Sequence, residues 1–109
     1  MFENRMRPVH PGEILQKDYL VPLGMSASGL AKALSIPAAR INDIVRERRA
    51  INADTAMRLA RYLGGDARSW LNLQTAYDLR VAEIRDSKRI EREIAPAAGQ
   101  GWLKSAVSR

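Results

Sequence analysis

The sequence predicts an all-α fold, and three observations carry that expectation. No stretch alternates apolar and polar residues for long enough to make a strand. Several stretches instead repeat apolar residues at three- and four-residue spacing, as a helix with one buried face does. Between them stand prolines, a glycine pair, and Ser, Asn or Asp in positions that cap or end helices.

The elements follow in order. Residues 1–10 read as an irregular polar arm, because Pro8 and Pro11 oppose early helix. From Pro11 the stretch PGEILQKDYL sets Ile14, Leu15, Tyr19 and then Val21 near one face. Glu13 falls in the first turn, where the helix dipole favours an anion. Pro22 and Gly24 are expected to stop this helix. Ser26 offers a capping hydroxyl to a second helix of about two turns, with Leu30, Ala31 and Leu34 inward. Ser35-Ile36-Pro37 is a tight link, and Pro37 suits a first helical position because its missing N–H has no partner there anyway. A third helix follows from Ala38 to Arg46.

Asn52 caps a fourth helix over about 53–63, whose Ala56, Leu59, Ala60 and Leu63 share one face; Gly64-Gly65 ends it. Asp66 caps a fifth over about 67–85, with Trp70, Leu73, Tyr77, Val81 and Ile84 in register. Asp86-Ser87 reads as a weak point past which Ile90 and Ile94 extend the helix, and PAAGQGWLKSAVSR as a loose tail. The organisation is therefore an arm (1–10), one helical domain (11–85), and a short helical extension with a tail (86–109).

Bulk properties narrow the function. The 109 residues suit a single domain, and a net charge of +6 with pI ≈ 10.3 points toward a polyanion partner. The absence of cysteine excludes disulfides and thiolate metal sites and fits a reducing cytoplasm. No apolar run approaches the ~18 residues of a membrane span, and MFENRMRPVHPGE lacks the apolar centre of a signal peptide, so a soluble cytoplasmic protein is expected. His10 is the sole histidine and is expected to cap or lie at the surface near helix one. No metal-ligand cluster or nucleophile–base pair is visible, and GMSASG lacks the ending of a phosphate-binding loop. Neither enzyme activity, nor a cofactor, nor a metal is expected.

The segment LAKALSIPAARINDIVRERR carries the functional signal. Two short helices joined by about three residues describe a helix-turn-helix, here over about 26–46. The second helix of such a unit enters the DNA major groove, so one side of it alone is apolar. Ile36, Ile41, Ile44 and Val45 form that side, while Ala39, Asn42, Asp43 and Arg46 point the other way. Ala38 and Ala39 can touch thymine methyls, Arg40 can fork onto guanine O6 and N7, and Asn42 can pair with adenine. Asp43 repels phosphates, so it either accepts from cytosine N4 or, as the better reading, pairs with an arginine such as Arg46. Arg46, Arg48 and Arg49 suit a phosphate grip, and Ser28 with the free N–H groups of helix two can hold a further phosphate. Trp70 and Tyr77 read as core. Leu71, Leu79 and Ala82 lie off their stripe and are the candidates for a two-fold dimer contact. Such a dimer would set two reading helices about 34 Å apart, on successive major grooves.

HPGEIL, LAKALSIPAARINDIVRERRAINADTAMRLARYLG and WLNLQTAYDL stand in this order and together resemble HigA/VapI-type antitoxins. These belong to the lambda-repressor-like, Xre-type helix-turn-helix group, and the resemblance covers about residues 7–95. It implies a five-helix DNA-binding domain, a homodimer and a palindromic operator on double-stranded DNA in the gene's own promoter. It also implies a cognate HigB/RelE-like toxin, an mRNA endonuclease that the antitoxin neutralises. On the matching positions, the base-reading residues are Ala38, Ala39, Arg40, Asn42 and Asp43, with Arg46, Arg48 and Arg49 on phosphates. Many relatives carry glycine at Glu47, so a differently shaped helix end is expected, with an acid near DNA. Many also carry polar residues at Ala38 and Ala39, which shifts specificity toward Arg40, Asn42 and DNA shape. The alternative is a phage- or plasmid-type repressor without a toxin. A pure protein-binding inhibitor is disfavoured by the arginines from Arg40 to Arg49.

Overall fold

The computed structural model describes residues 7–97, and within them every regular element is helical. Helix α1 is a continuous run made of Pro11–Ile14, a wider π-helical turn over Leu15–Leu20, and Val21–Leu23. Helices α2 (Ala27–Leu34), α3 (Ala38–Val45), α4 (Ala53–Leu63) and α5 (Ala67–Glu93) follow.

His10 caps α1. Its Nδ1 accepts from the Gly12 N–H at 2.8 Å, and its buried ring meets Tyr77 edge-on at 4.8 Å. Of the two expected sites for His10, the cap is the one adopted. Burial pushes the imidazole below its ordinary pKa, which keeps the accepting nitrogen unprotonated. Gly12 is buried where α1 crosses the end of α3. A Cβ there would fall on the Ile44 carbonyl oxygen, so only glycine fits.

Pro22 does not end α1. A proline inside an α-helix lacks a donor and its ring strikes the carbonyl four residues back. The π turn resolves this by widening the spiral, and the Val21 N–H reaches back five residues to the Gln16 carbonyl. The stop comes two residues later. Gly24 turns left-handed (φ 64°), its N–H bonds to Val21, and Met25 N–H bonds to the Leu20 carbonyl.

The remaining caps follow side-chain chemistry. Ser26 accepts from Gly29 N–H at 2.9 Å, Asn52 from Thr55 at 2.9 Å, and Asp66 from Ser69 at 2.8 Å. Pro37 stands just outside α3 as its N-cap, with ψ 141°, rather than at the first helical position.

The core gathers Leu15, Leu20, Leu30, Leu34, Ile41, Ile44, Ile51, Ala56, Leu59 and Trp70, all buried. Trp70 tilts against Tyr19 at 5.5 Å, joining α5 to α1. Burying side chains of this kind contributes roughly 1.5–3 kcal/mol each, which is what holds short, individually unstable helices together. Leu71 also packs against this core and is half-buried.

Helix α5 is unbroken from Ala67 to Glu93, about 40 Å long at 1.5 Å per residue. The expected weak point at Asp86-Ser87 is absent. Asp86 pairs with Arg89 at 3.2 Å and Arg89 with Glu93 at 3.2 Å, ion pairs at helical spacing that carry the chain past Ser87. Leu79, Ile84, Ile90 and Ile94 are exposed along it, so Ile84 is not part of the buried stripe. Residues 98–109 of the expected tail, with Trp102, lie outside the described residues.

Candidate nucleic-acid interface

Helix α2 ends at Ser35, which adopts φ 59° and lets Ile36 N–H close on the Ala31 carbonyl at 3.1 Å. Pro37 then holds the extended backbone from which α3 starts. On α3, Ile41 and Ile44 are fully buried, and Ile36 and Val45 pack on the same core. The opposite side is open: Ala38, Ala39 and Arg46 are exposed, and so are Arg48 and Arg49 just beyond the helix. The proposed apolar and polar sides of this helix are thus separated in three dimensions as the periodicity requires.

Individual polar residues are more constrained than their types suggest. Asn42 is half-buried and gives one amide hydrogen to the Ala38 carbonyl at 3.0 Å. Asp43 is half-buried and pairs with Arg49 at 3.3 Å, not with Arg46. The reason is the turn after α3. Glu47 is left-handed (φ 63°), its N–H bonds to Ile44, and Arg48 N–H bonds to the Asp43 carbonyl at 2.8 Å. This reversal folds Arg49 back over Asp43. The expectation of a differently shaped helix end at Glu47 is therefore corrected: glutamate adopts the backbone conformation that glycine takes most easily.

Arg46 and Arg48 form no ion pair among the described residues, whereas Arg49 is half of one. Arg40 is not simply solvated. Its Nη1 reaches Asp54 Oδ2 at 3.3 Å, in the first turn of α4. Arg58 Nε donates to the same oxygen at 2.9 Å, and Arg58 Nη1 donates to the Leu34 carbonyl at the end of α2, also at 2.9 Å. The Arg58 guanidinium first, then Arg40, holds the Asp54 carboxyl below its ordinary range. Asp54 and Arg58 had no assigned role in the sequence. Their signal was present only as an i,i+4 acid–base pair on α4.

Ser28 is exposed in the first turn of α2, beside the capped N–H groups. The loop after α3 is tied down from α5: Gln74, buried, accepts from the Ile51 N–H at 2.8 Å and donates to Asp78 at 2.9 Å. Of the dimer candidates, Leu79 is exposed and Ala82 half-buried, while Leu71 belongs to the core shell. Among the described residues no acid, histidine or cysteine cluster suits a metal, and no helix is long and apolar enough to cross a membrane.

Two short helices at a tight turn, the second with a buried aliphatic side and an open basic one, define a helix-turn-helix domain. A helix-turn-helix family model matches residues 16–70. Virulence-associated protein I of Dichelobacter nodosus is 64% identical over 81 residues, covering 74% of this chain and 75% of that protein. Antitoxin HigA-1 of Vibrio cholerae is 33% identical over 79 residues, 72% and 74% of the two chains. The solved structure of Pseudomonas aeruginosa antitoxin HigA with the higBA promoter superposes with a TM-score of 0.81 at 48% identity, covering 84% of this chain and 99% of that one. Antitoxin GraA in complex with its operator gives 0.81 at 43% identity, over 88% and 97%. The chain belongs to the helix-turn-helix family, in its HigA/VapI-type antitoxin branch.

Proposed function

We propose that the protein is a dimeric DNA-binding antitoxin that represses its own operon and neutralises a HigB/RelE-like toxin encoded beside it. The observation that carries the reading is the open side of α3, flanked by the exposed Arg46 and Arg48, on a chain so similar to an antitoxin solved with its promoter. Helix α3 lies in the major groove, with Ala38, Ala39, Arg40 and Asn42 toward base edges. Arg46 and Arg48 grip phosphates, with Ser28 and the start of α2 on a neighbouring one. Asp43 holds Arg49 in place, so both act as a unit at the groove edge and neither reads a base alone. Leu79 and Ala82 on α5 join the two subunits across a two-fold axis matching a palindromic operator. The protein acts in the cytoplasm, where its promoter is, and does so by binding and not by catalysis.

The test is a gel shift with a duplex from the promoter of its own gene, beside co-expression with the adjacent small reading frame. Retarded promoter DNA and a rescued, co-purifying toxin are expected. Promoter binding without any effect on the adjacent product would leave a repressor with no toxin partner.

A further inference from the structure

We propose that Asp54 is a specificity-setting residue: it positions the Arg40 guanidinium for base edges and keeps it from roaming over phosphates. The proposal rests on the reading of α3 as the helix in the groove.

The geometry separates the two arginines on this carboxylate. Arg58 is fixed at two points, by Asp54 Oδ2 at 2.9 Å and by the Leu34 carbonyl at 2.9 Å, so it braces the end of α2 against α4. Arg40 is held at one point, by a single terminal nitrogen at 3.3 Å. That contact fixes where the guanidinium lies without using up the five donors of its planar fork. The Arg40 side chain is 30% exposed and that of Asp54 54%, so the pair sits at the surface, beside the open side of α3.

Asp54 does not need Arg40 for its local role. In the first turn of α4 it meets the helix dipole favourably and already has Arg58 one turn on. The reach across to α3 is an additional contact, and it falls on the one arginine of that helix placed to read guanine. An untethered arginine carries large rotamer freedom and binds any phosphate within its sweep, which raises affinity for all DNA alike. A tethered one is ordered before binding, and the neighbouring carboxylate repels phosphates. Both effects favour a site that offers guanine O6 and N7 at the tethered position.

The test is a double-mutant cycle on the full chain, with Asp54→Asn, Arg40→Ala and the double variant. Each is titrated against the promoter duplex and a scrambled duplex of equal length, over a salt series. In the Arg40 background Asp54→Asn should lower the promoter-to-scrambled affinity ratio about tenfold, the lower range of one bidentate base contact. It should also steepen the salt dependence on scrambled DNA by about one unit of slope. In the Arg40→Ala background the same substitution should leave the ratio unchanged. Any weakening of α4 is common to both backgrounds and cancels. An unchanged ratio beside Arg40, or an equal fall in both backgrounds, overturns the role of Asp54 while leaving promoter binding intact. A natural chain that does not discriminate the two duplexes overturns the functional reading, and this proposal with it.

Discussion

The amide of Ile51 donates to Gln74 Oε1 at 2.8 Å, joining the loop after α3 to the middle of α5 across 23 positions of sequence. Both residues are buried, so the bond cannot be replaced by water without opening the core. The loop it holds is the one that presents Arg46, Arg48 and Arg49.

Replacing Gln74 with alanine leaves that N–H buried and unpaired. A loss of about 1–3 kcal/mol in folding stability is expected, the usual range for an orphaned buried donor. Urea denaturation measures it directly. A midpoint equal to that of the natural chain would mean the loop is held by other contacts.

Gly12→Ala tests the crossing of α1 over α3. The added methyl would meet the Ile44 carbonyl, a backbone atom that cannot swing aside. Destabilisation of about 1–3 kcal/mol or more is expected, as for other overpacked interiors. A variant melting with the natural protein would show that the two helices separate more easily than their packing indicates.

The contrast between these two sites explains what was legible in the residues and what was not. The helix count, the caps at Ser26, Asn52 and Asp66, and the buried side of α3 follow from local rules, because period and capping act within a few residues. Pro22 misled because a proline's local effect is to stop a helix, and a widened turn absorbed it instead. Gln74, Asp54 and Arg58 were silent for another reason. Each matters through a partner outside its own helix, and no spacing rule links Ile51 to Gln74 or Arg40 to Asp54. Asp43 lay between: an arginine partner was legible, but its identity depended on the reversal at Glu47.

Glu47 holds a left-handed backbone, which costs an L-residue with a side chain roughly 1–2 kcal/mol. Glycine avoids that strain but loses more freedom on folding, by about 0.5–1 kcal/mol. Glu47→Gly should therefore raise stability by about 0.5–1 kcal/mol. Removing the acid next to Arg46 and Arg48 should also tighten binding to any duplex. Thermal melts and a scrambled-duplex titration check the two effects separately, and a lower melting temperature would contradict the first.

Glu13 is clamped by Arg7, at 2.7 and 2.9 Å, and by Lys17 at 3.1 Å. The Arg7 hydrogen bonds first, then Lys17, bring its carboxyl down from 4.5 to about 2. A pKa depressed in the folded state contributes stability that is complete above the unfolded value and disappears as the pH falls through the folded one. The contribution should therefore fade between pH 4.5 and about 2, and Glu13→Gln should flatten that part of the acid limb. Urea midpoints at successive pH values test it. Parallel limbs for the two proteins would detach Glu13 from acid unfolding.

Arg46 and Arg48 are exposed and form no ion pair within the described chain, while Arg49 is committed to Asp43. The three arginines should therefore differ on DNA. Arg46→Ala and Arg48→Ala should each weaken promoter and scrambled duplexes alike and reduce the slope of log affinity against log salt by about 1. Arg49→Ala acts through its partner as well. It frees a carboxylate at the groove edge, so binding should fall further than the loss of one cation explains, and Asp43→Asn in the same chain should restore part of it. Salt titrations of the four variants decide the matter. Equal losses for all three arginines, with no recovery from Asp43→Asn, would place Arg49 on a phosphate like its neighbours and reduce its pairing with Asp43 to a feature of the unbound protein.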